Sequence, residues 1–297
     1  KNHIKMEDIK NFLKSSAFKL KQADKEQLLL DYFKNEHSYH YKKNSLYKNI
    51  IDNEYSDLIN IKNLESIPFL PVQYFKVAGN EFTSSEEVHR SLLSSATSGI
   101  PSKINIDKET SKRQVLSLAS SLSNFIGKER RQFLICDIES SGANFEIAAR
   151  HAAIKGFTNF ASKVDFIFEL KDNKYQLNYN KVYNILNKSN NPVVICGFTF
   201  LVYSFLVNFL KFNKTNITLP KESFLLHIGG WKKLEEKKVS RDIFIQDTAN
   251  TLGLKYENII DIYGFTEQMG TIYPECKYGY KHVPDHAHLI VRNPYSH

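Results

Sequence analysis

Residues 94–103, with the sequence SSATSGIPSK, combine hydroxyl side chains with a glycine, a proline and a lysine. Hydroxyl groups donate short hydrogen bonds, a glycine lets the backbone turn sharply, and a lysine adds a mobile positive charge. Donors arranged around a cation in this way suit a chain of phosphates. The segment therefore predicts a phosphate-binding loop. Its candidate binding residues are Ser95, Thr97, Ser98, Gly99 and Lys103.

Two further segments downstream carry groups of the same kind. Tyr263-Gly264-Phe265-Thr266-Glu267 follows an apolar run and offers a hydroxyl beside a carboxylate, and Gly229-Gly230 ends another apolar run. Together with the loop they predict a site for ATP and a metal ion. Each segment also has a purely structural interpretation, as a surface turn, a helix start capped by Thr266 and Glu267, or a tight glycine turn. Both interpretations stay open at this point.

The elements that must position these residues follow from the periodicity of the apolar residues. Short apolar runs alternate with segments of helical spacing, which predicts an α/β fold with mostly parallel strands flanked by helices. The predicted strands cover residues 104–106, 132–138, 164–170, 192–197, 224–228, 258–263 and 287–291. The predicted helices cover residues 107–125, 144–155, 178–187, 201–212 and 241–252.

The candidate site residues fall just after predicted strands. Gly229-Gly230 follows the strand at 224–228, and Gly264 follows the strand at 258–263. Ligands of open α/β sheets bind outside the carboxyl ends of the strands. We therefore expect both segments at one edge of one sheet.

The N-terminal part of the chain has a different pattern. Apolar residues recur at three- and four-residue spacing from Met6 to about Ile61, and residues 66–71 (SIPFLP) then break the periodicity. We expect a helical region at residues 1–65, packed on an α/β domain at residues 66–297.

Composition narrows the possible functions. The formal charge of +8 comes from lysines spread along the chain, which does not indicate a nucleic-acid partner. No apolar run has the length of a membrane span, and three cysteines without metal-ligand spacing indicate neither a disulfide framework nor a zinc site. These features favour a cytoplasmic protein. Four histidines and the single tryptophan are assigned to packing or surface positions: His227, His282, His286, His288 and Trp231.

The three segments, in this order and at these separations, resemble the signature of adenylate-forming enzymes, the superfamily of acyl-CoA synthetases, luciferases and peptide-synthetase adenylation domains. Residues 67–76, 98–104 and 225–233 look most like its acyl-protein synthetase (LuxE-like) branch. The resemblance covers roughly Ser66 to Arg292. It implies the fold of the large N-terminal domain of these enzymes. It also implies a small C-terminal domain, which we expect to be absent from this chain.

The resemblance assigns roles to the candidate residues. It implies that Thr266 contacts the α-phosphate of ATP and that Glu267 binds Mg²⁺, a hard cation that takes one or two carboxylates plus phosphate oxygens. Gly229 and Gly230 would line the adenine pocket, with Tyr263 stacked on the base and Gly264 beside it. The loop residues would hold the β- and γ-phosphates.

The activity implied by the resemblance is the ATP-dependent activation of a carboxylic acid, of the fatty acyl class, to an acyl-adenylate. The acyl group would then pass to a thiol, and an acyl-accepting or reductase protein would be the partner. The alternative is a fragment that binds a nucleotide or an acyl group without catalysis. A third interpretation, an anion-binding interaction protein, would use the basic surface.

Overall fold

The structure is a computed structural model that describes residues 6–55, 61–77, 87–94, 100–139, 145–172, 174–188, 190–268 and 270–293. The chain forms two compact units. The first comprises Lys1–Asn124, Phe265–Ile272 and Val283–His297, and the second comprises Phe125–Gly264 and Tyr273–His282. The domain boundary expected after residue 65 stays a prediction. Among the helices described, none is long and apolar enough to cross a membrane.

The secondary structure alternates between strands and helices over most of the chain. Residues 199–212 form one continuous helix, α7, built from Thr199–Leu201, a π-helical segment at Val202–Val207, and Asn208–Phe212. The other helices are α1 (Met6–Lys14), α2 (Gln22–Lys43), α3 (Ser45–Glu54), α4 (Lys108–Ile126), α5 (Phe145–Thr158), α6 (Tyr179–Lys188) and α8 (Arg241–Leu252). The strands are β1 (Arg90–Leu93), β2 (Lys103–Ile106), β3 (Arg131–Ile138), β4 (Ala161–Lys171), β5 (Lys174–Leu177), β6 (Val193–Phe198), β7 (Phe224–Ile228), β8 (Ile259–Tyr263) and β9 (Tyr273–Pro274).

The second unit is built on a sheet whose described strands run in the order β5-β4-β3-β6-β7-β8-β9. The neighbours from β4 to β8 are parallel, whereas β5 and β9 are antiparallel to β4 and β8. Helices connect the parallel strands because a parallel neighbour requires a crossover. The predicted α/β class with mostly parallel strands is therefore confirmed.

The centre of this sheet is fully buried. Every residue of β6 is buried, and Leu134, Ile135 and Cys136 of β3 have no exposed surface. Continuous apolar strands of this kind are typical of parallel sheets covered on both faces. The strands approach so closely that a Cβ atom on Gly197 would lie 2.6 Å from the Cβ of Cys136. Gly197 is thus required by space rather than by backbone conformation.

The first unit joins the N-terminal helices to the β1–β2 hairpin and to the last described residues. The carboxylate of Asp285 accepts hydrogen bonds from the backbone N–H groups of Lys19 and Leu20, at 2.8 and 3.1 Å. Arg292 donates to the carbonyl of Glu65 at 2.6 Å and lies over the ring of Phe69. These contacts hold the last described residues against residues 19–20 and 65–69 of the first unit.

The structure differs from the predicted secondary structure in two ways. The strand predicted at residues 287–291 is wrong, since that segment has no ladder partner and is held by the contacts of its flanking residues. The edge strands β5 and β9 were not predicted, because they are short and exist only by pairing with β4 and β8. The remaining predicted strands and helices are present, with bounds shifted by a few residues.

Candidate functional site

The predicted phosphate-binding loop joins β1 to β2 in the first unit. Ser95, Thr97, Ser98 and Gly99 lie outside the described residues, and the two ends of the loop are described. The N–H of Ser94 donates to the carbonyl of Ser102 at 3.0 Å, and the N–H of Ser102 donates to the hydroxyl of Ser94 at 2.8 Å. Ser102 is fully buried, and its hydroxyl has no hydrogen-bond partner in the described part of the chain.

Lys103 is the first residue of β2 and is exposed. It lies opposite Leu93 in the antiparallel pairing with β1. This position follows from the hairpin, which brings the lysine to the base of the loop. The proposed role of Lys103 in phosphate binding stays a prediction.

Thr266 and Glu267 begin a 3-10 turn, Thr266–Gln268, in the first unit, and both are half-buried. Gly270, just beyond it, has a φ of 76°, and a Cβ atom there would lie 2.6 Å from the Cα of Gln114 in α4. This close approach fixes the turn against α4. Thr266 and Glu267 thus lie a few residues before a point where the chain packs closely on α4.

Gly229, Gly230, Tyr263 and Gly264 belong to the second unit. Ile228 pairs with Ile262 in the parallel strands β7 and β8, so Gly229 and Tyr263 are the next residues at the same sheet edge. Gly229-Gly230 and Tyr263-Gly264 therefore lie at one sheet edge, as expected, whereas Thr266 and Glu267 belong to the first unit.

The geometry of this edge would admit a flat ligand. Gly229 and Gly230 have φ angles of 76° and 61°, which non-glycine residues rarely adopt. A Cβ atom on Gly230 would meet nothing within 4 Å, and the ring of Tyr263 is 57% exposed. An open backbone beside an exposed aromatic ring offers a surface on which an aromatic base could stack.

His227 lies beneath this edge, in β7. Its Nδ1 is 3.0 Å from the hydroxyl of Thr199 and 3.5 Å from a carboxylate oxygen of Asp261. Its ring packs against Phe244, with ring centroids 4.4 Å apart. Burial lowers the pKa of His227 to about 4, although the negative charge of Asp261 acts in the opposite direction. His227 is therefore neutral at physiological pH.

The hydrogen bonds of Thr199 indicate which nitrogen of His227 carries the proton. The Thr199 hydroxyl lies 3.2 Å from the carbonyl of Ile228, to which it donates. Since that hydroxyl proton is used, Nδ1 of His227 is the donor in its contact with Thr199. Nε2 is then a hydrogen-bond acceptor. Through these contacts, His227 of β7 connects Thr199, which directly follows β6, with Asp261 of β8.

A chain of alternating charges continues from Asp261 along the same edge. Lys281 lies 2.7 Å from the Asp261 carboxylate and 3.5 Å from that of Glu275. Arg241, at the start of α8, donates to Glu275 at 2.5 Å. Because Glu275 and Lys281 also form a β-bridge, these contacts fix the 273–282 hairpin to β8. The hairpin in turn supports the end of β8 at Tyr263.

The network through Asp261, Lys281 and Thr199 was not found from the sequence. Asp261 left a signal, since a carboxylate interrupts the apolar run of β8. Its partner Lys281 lies in a hairpin that the sequence pattern does not predict. The sequence feature that could have indicated this network is therefore a charged residue within an otherwise apolar strand.

A tryptophan, two cysteines and one further histidine remain from the residues considered in the sequence. Trp231 is buried and packs edge-on against Tyr203, which agrees with the predicted packing role. Cys136 and Cys196 are buried thiols whose pKa values burial raises. His286 corrects the surface assignment, because burial lowers its pKa to about 4 and its Nε2 lacks a partner within the described residues.

The residues available for a metal ion are few. Within the described ranges, no group of three histidine, cysteine, aspartate or glutamate side chains could hold a metal ion. A half-buried carboxylate such as that of Glu267 fits a magnesium ion that takes its remaining ligands from phosphate and water. A site made by protein side chains alone does not fit.

The second unit thus defines an α/β protein with a mostly parallel sheet and a candidate site at the carboxyl edge of β7 and β8. The family follows from comparison with known proteins. Residues 1–296 match the model of the family described as "Acyl-protein synthetase, LuxE", and the chain belongs to this family.

Two curated relatives are similar to this chain over most of its length. A "Long-chain-fatty-acid--luciferin-component ligase" of Aliivibrio fischeri is 24% identical over 266 residues, which cover 86% of this chain and 67% of the relative. A protein of the same name from Vibrio harveyi is 23% identical over 262 residues, covering 85% of this chain and 66% of the relative. The chain thus spans about two thirds of the length of these relatives.

Proposed function

We propose that this protein activates a long-chain fatty acid with ATP and Mg²⁺ for transfer to a protein thiol. A carboxylate oxygen of the acid attacks the α-phosphorus of ATP, and the bond from that phosphorus to the pyrophosphate oxygen breaks. An acyl-adenylate and pyrophosphate result. A thiolate then attacks the acyl carbonyl, and AMP leaves.

The observation that carries the proposal is the sheet edge formed by Gly229, Gly230 and Tyr263. The two glycines have positive φ angles and turn the backbone sharply just after β7. Tyr263, which is largely exposed, is the last residue of the adjacent strand β8. An adenine base could stack on its ring and approach the glycine backbone closely. Membership of the acyl-protein synthetase family and the names of its two relatives support a fatty acyl substrate.

Four groups of residues proposed from the sequence would act on the phosphates: Lys103, the loop hydroxyls, Thr266 and Glu267. Lys103 and the loop hydroxyls would stabilise the charge of the departing pyrophosphate, and Thr266 would orient the α-phosphate for attack. Glu267 would hold Mg²⁺, which when bound neutralises phosphate charge. We place the reaction in the cytoplasm, since Cys136 and Cys196 are buried thiols that a reducing compartment preserves.

The proposal is tested by exchange of labelled pyrophosphate into ATP, with a saturated long-chain fatty acid as substrate. The wild-type chain should exchange only when the acid and Mg²⁺ are both present. Glu267→Gln should lower the exchange rate at least about tenfold, because the carboxylate that holds the metal ion is lost. Glu257→Gln, which changes an exposed glutamate of the second unit, serves as the control.

Absence of acid-dependent exchange would contradict the enzymatic proposal and favour a fragment that binds without turnover. Equal exchange by wild type and Glu267→Gln would remove this residue from the mechanism. Circular dichroism of each variant checks that the fold is intact.

A further inference from the structure

A groove of about 470 Å³ lies at the end of the sheet farthest from β9 in strand order. One wall is formed by Lys171, Asp172 and β5, and the other by residues of α7 from Ser204 to Phe212 together with Asn213. We call this the edge groove. None of its residues belongs to the candidate site described above.

The groove follows the outer edge of β5. All the residues of this strand, Lys174 to Leu177, line it, although successive side chains of a strand point to opposite faces of the sheet. A cavity that touches every residue of a strand must run along the strand's edge. In the described part of the sheet, β5 has a neighbour only on the β4 side.

The pairing with β4 determines which backbone groups face the groove. Leu177 lies opposite Phe168, and the N–H of Asn178 donates to the carbonyl of Ile167 at 2.9 Å. In an antiparallel ladder this hydrogen-bond pattern makes Leu177 and Phe168 a non-hydrogen-bonded pair. The N–H and C=O of Leu177 therefore point away from β4, but Leu177 is only 3% exposed. Two residues earlier, Tyr175 lies opposite Leu170 in the same kind of pair, so the N–H and C=O of this half-buried residue also point away from β4. This is the arrangement to which an added strand can hydrogen-bond.

The opposite wall provides both apolar contact and polar partners. Phe205, Phe209 and Phe212 line it, and Phe212 is 87% exposed. Ser204, Asn208 and Asn213 add a hydroxyl and two amides. Ser204 and Phe205 belong to the π-helical segment of α7, a departure from α-helical geometry that is frequent at functional sites.

The charge at the rim indicates the character of an occupant. Lys171 and Lys174 are exposed and, within the described residues, form no salt bridge. Asp172 lies between them, which leaves a net positive charge at this end of the groove. An occupant with acidic side chains would be complementary.

We propose that the edge groove is a docking site for an extended acidic segment of a partner protein, which adds to the sheet as a strand beside β5. Its backbone would pair with the edge of β5, its apolar side chains would contact Phe209 and Phe212, and its acidic side chains would reach Lys171 and Lys174. The hydroxyl and amide groups on the α7 wall favour a peptide over a hydrocarbon chain, which would leave them without partners.

The probe for this proposal is a phage-displayed library of random ten-residue peptides, selected on the full chain. Selected sequences should carry acidic residues at alternate positions. The synthesised consensus peptide should bind the wild-type chain in fluorescence anisotropy. Its binding should slow hydrogen exchange of the Tyr175 amide, since that N–H becomes hydrogen-bonded.

Matched variants identify the binding surface. Lys174→Glu and Phe212→Ser should each weaken the peptide at least tenfold, and both change exposed side chains that the fold does not need. Lys221→Glu and Val291→Ser change equally exposed residues elsewhere and should leave binding unaltered.

Several results would overturn the proposal. These are failure to select any peptide, peptides without acidic residues, and binding that Lys174→Glu and Phe212→Ser do not weaken. Protection of the Tyr175 amide by a saturated long-chain fatty acid in place of peptide would assign the groove to acyl chains. Dimerisation lost in Phe212→Ser, measured by sedimentation, would assign it to a second copy of this chain.

Discussion

At the residue scale, the best-defined group of the candidate site is His227. It is held between Thr199 and Asp261 under the ring of Phe244, in a position that excludes water. Burial lowers its pKa from 6.5 to about 4. A histidine with such a pKa acts through hydrogen bonds rather than through charge at neutral pH. His227 is therefore a positioning residue for the carboxyl edge of the sheet.

This burial predicts a pH dependence of stability. The folded pKa is lower than the unfolded value, so the unfolded chain binds the proton first as the pH falls. The stabilisation is complete above about pH 6.5 and is lost as the pH falls toward 4. At pH 5 the loss from this residue amounts to about 2 kcal/mol. His227→Gln should remove that part of the pH dependence.

The measurement is urea unfolding at pH 7.5 and pH 5, followed by tryptophan fluorescence. Trp231 is the only tryptophan of the sequence and lies in the same unit as His227, so it reports the unfolding of that unit. The exposed His89→Gln is the control. An identical loss of stability in wild type and His227→Gln would show that the histidine is not buried as described.

At the element scale, two glycines of the second unit illustrate different reasons for the same residue type. Gly197 of β6 is required by space, since a Cβ atom there would lie 2.6 Å from Cys136. Gly230 is required by its φ of 61°, and its added Cβ would have open space. Gly197→Ala should cost about 2 kcal/mol or more through overpacking, and Gly230→Ala about 1 kcal/mol through backbone strain.

Urea titrations of both variants, followed by Trp231 fluorescence, measure these costs in the same unit. Gly230→Ala should in addition weaken nucleotide binding, because the methyl group occupies the proposed base-binding edge. The loss in the free energy of binding should exceed the loss in the free energy of unfolding. A Gly197→Ala variant as stable as wild type would contradict the described packing of β3 against β6.

The elements also show what could be predicted from the sequence. The bounds of β7 and α8 were predicted as observed. For α8 the local signals are complete, because Ser240 caps its start and Gly253, with a φ of 63°, ends it. By contrast, β5 depends on pairing with β4, and the largely apolar segment at 287–291 has no ladder partner among the described residues. Local patterns therefore identified elements with local signals and missed those defined by distant partners.

The candidate site likewise has one part that the sequence predicts and one part that it does not. Gly229 and Tyr263 could be placed at one edge because each directly follows a strand of a parallel sheet. The contact of Asp261 with Lys281 could not be predicted, because it requires the 273–282 hairpin to fold back on β8.

At the scale of the second unit, a buried ion pair joins three elements. Asp137 of β3 accepts two hydrogen bonds from Arg150 of α5, at 2.7 and 3.0 Å, and Arg150 also donates to the hydroxyl of Tyr175 in β5. Asp137 has no exposed surface. Arg150→Met should destabilise the unit by about 3 kcal/mol or more, because it leaves a buried carboxylate without its partner.

The double variant Asp137→Leu with Arg150→Met should recover most of this loss, since no charge remains buried. Urea unfolding followed by Trp231 fluorescence measures both variants. A single variant as stable as wild type, or a double variant less stable than the single one, would contradict the described pair.

The chain as a whole is expected to bind ATP through Lys103 and a magnesium ion. Isothermal titration of ATP in the presence of Mg²⁺ tests it most directly, with Lys103→Ala and the exposed-lysine control Lys221→Ala measured in parallel. We predict binding that requires Mg²⁺ and that Lys103→Ala weakens by about tenfold, or ~1.4 kcal/mol. Absence of binding by the wild-type chain, or equal binding in the presence of a chelator, would contradict the account.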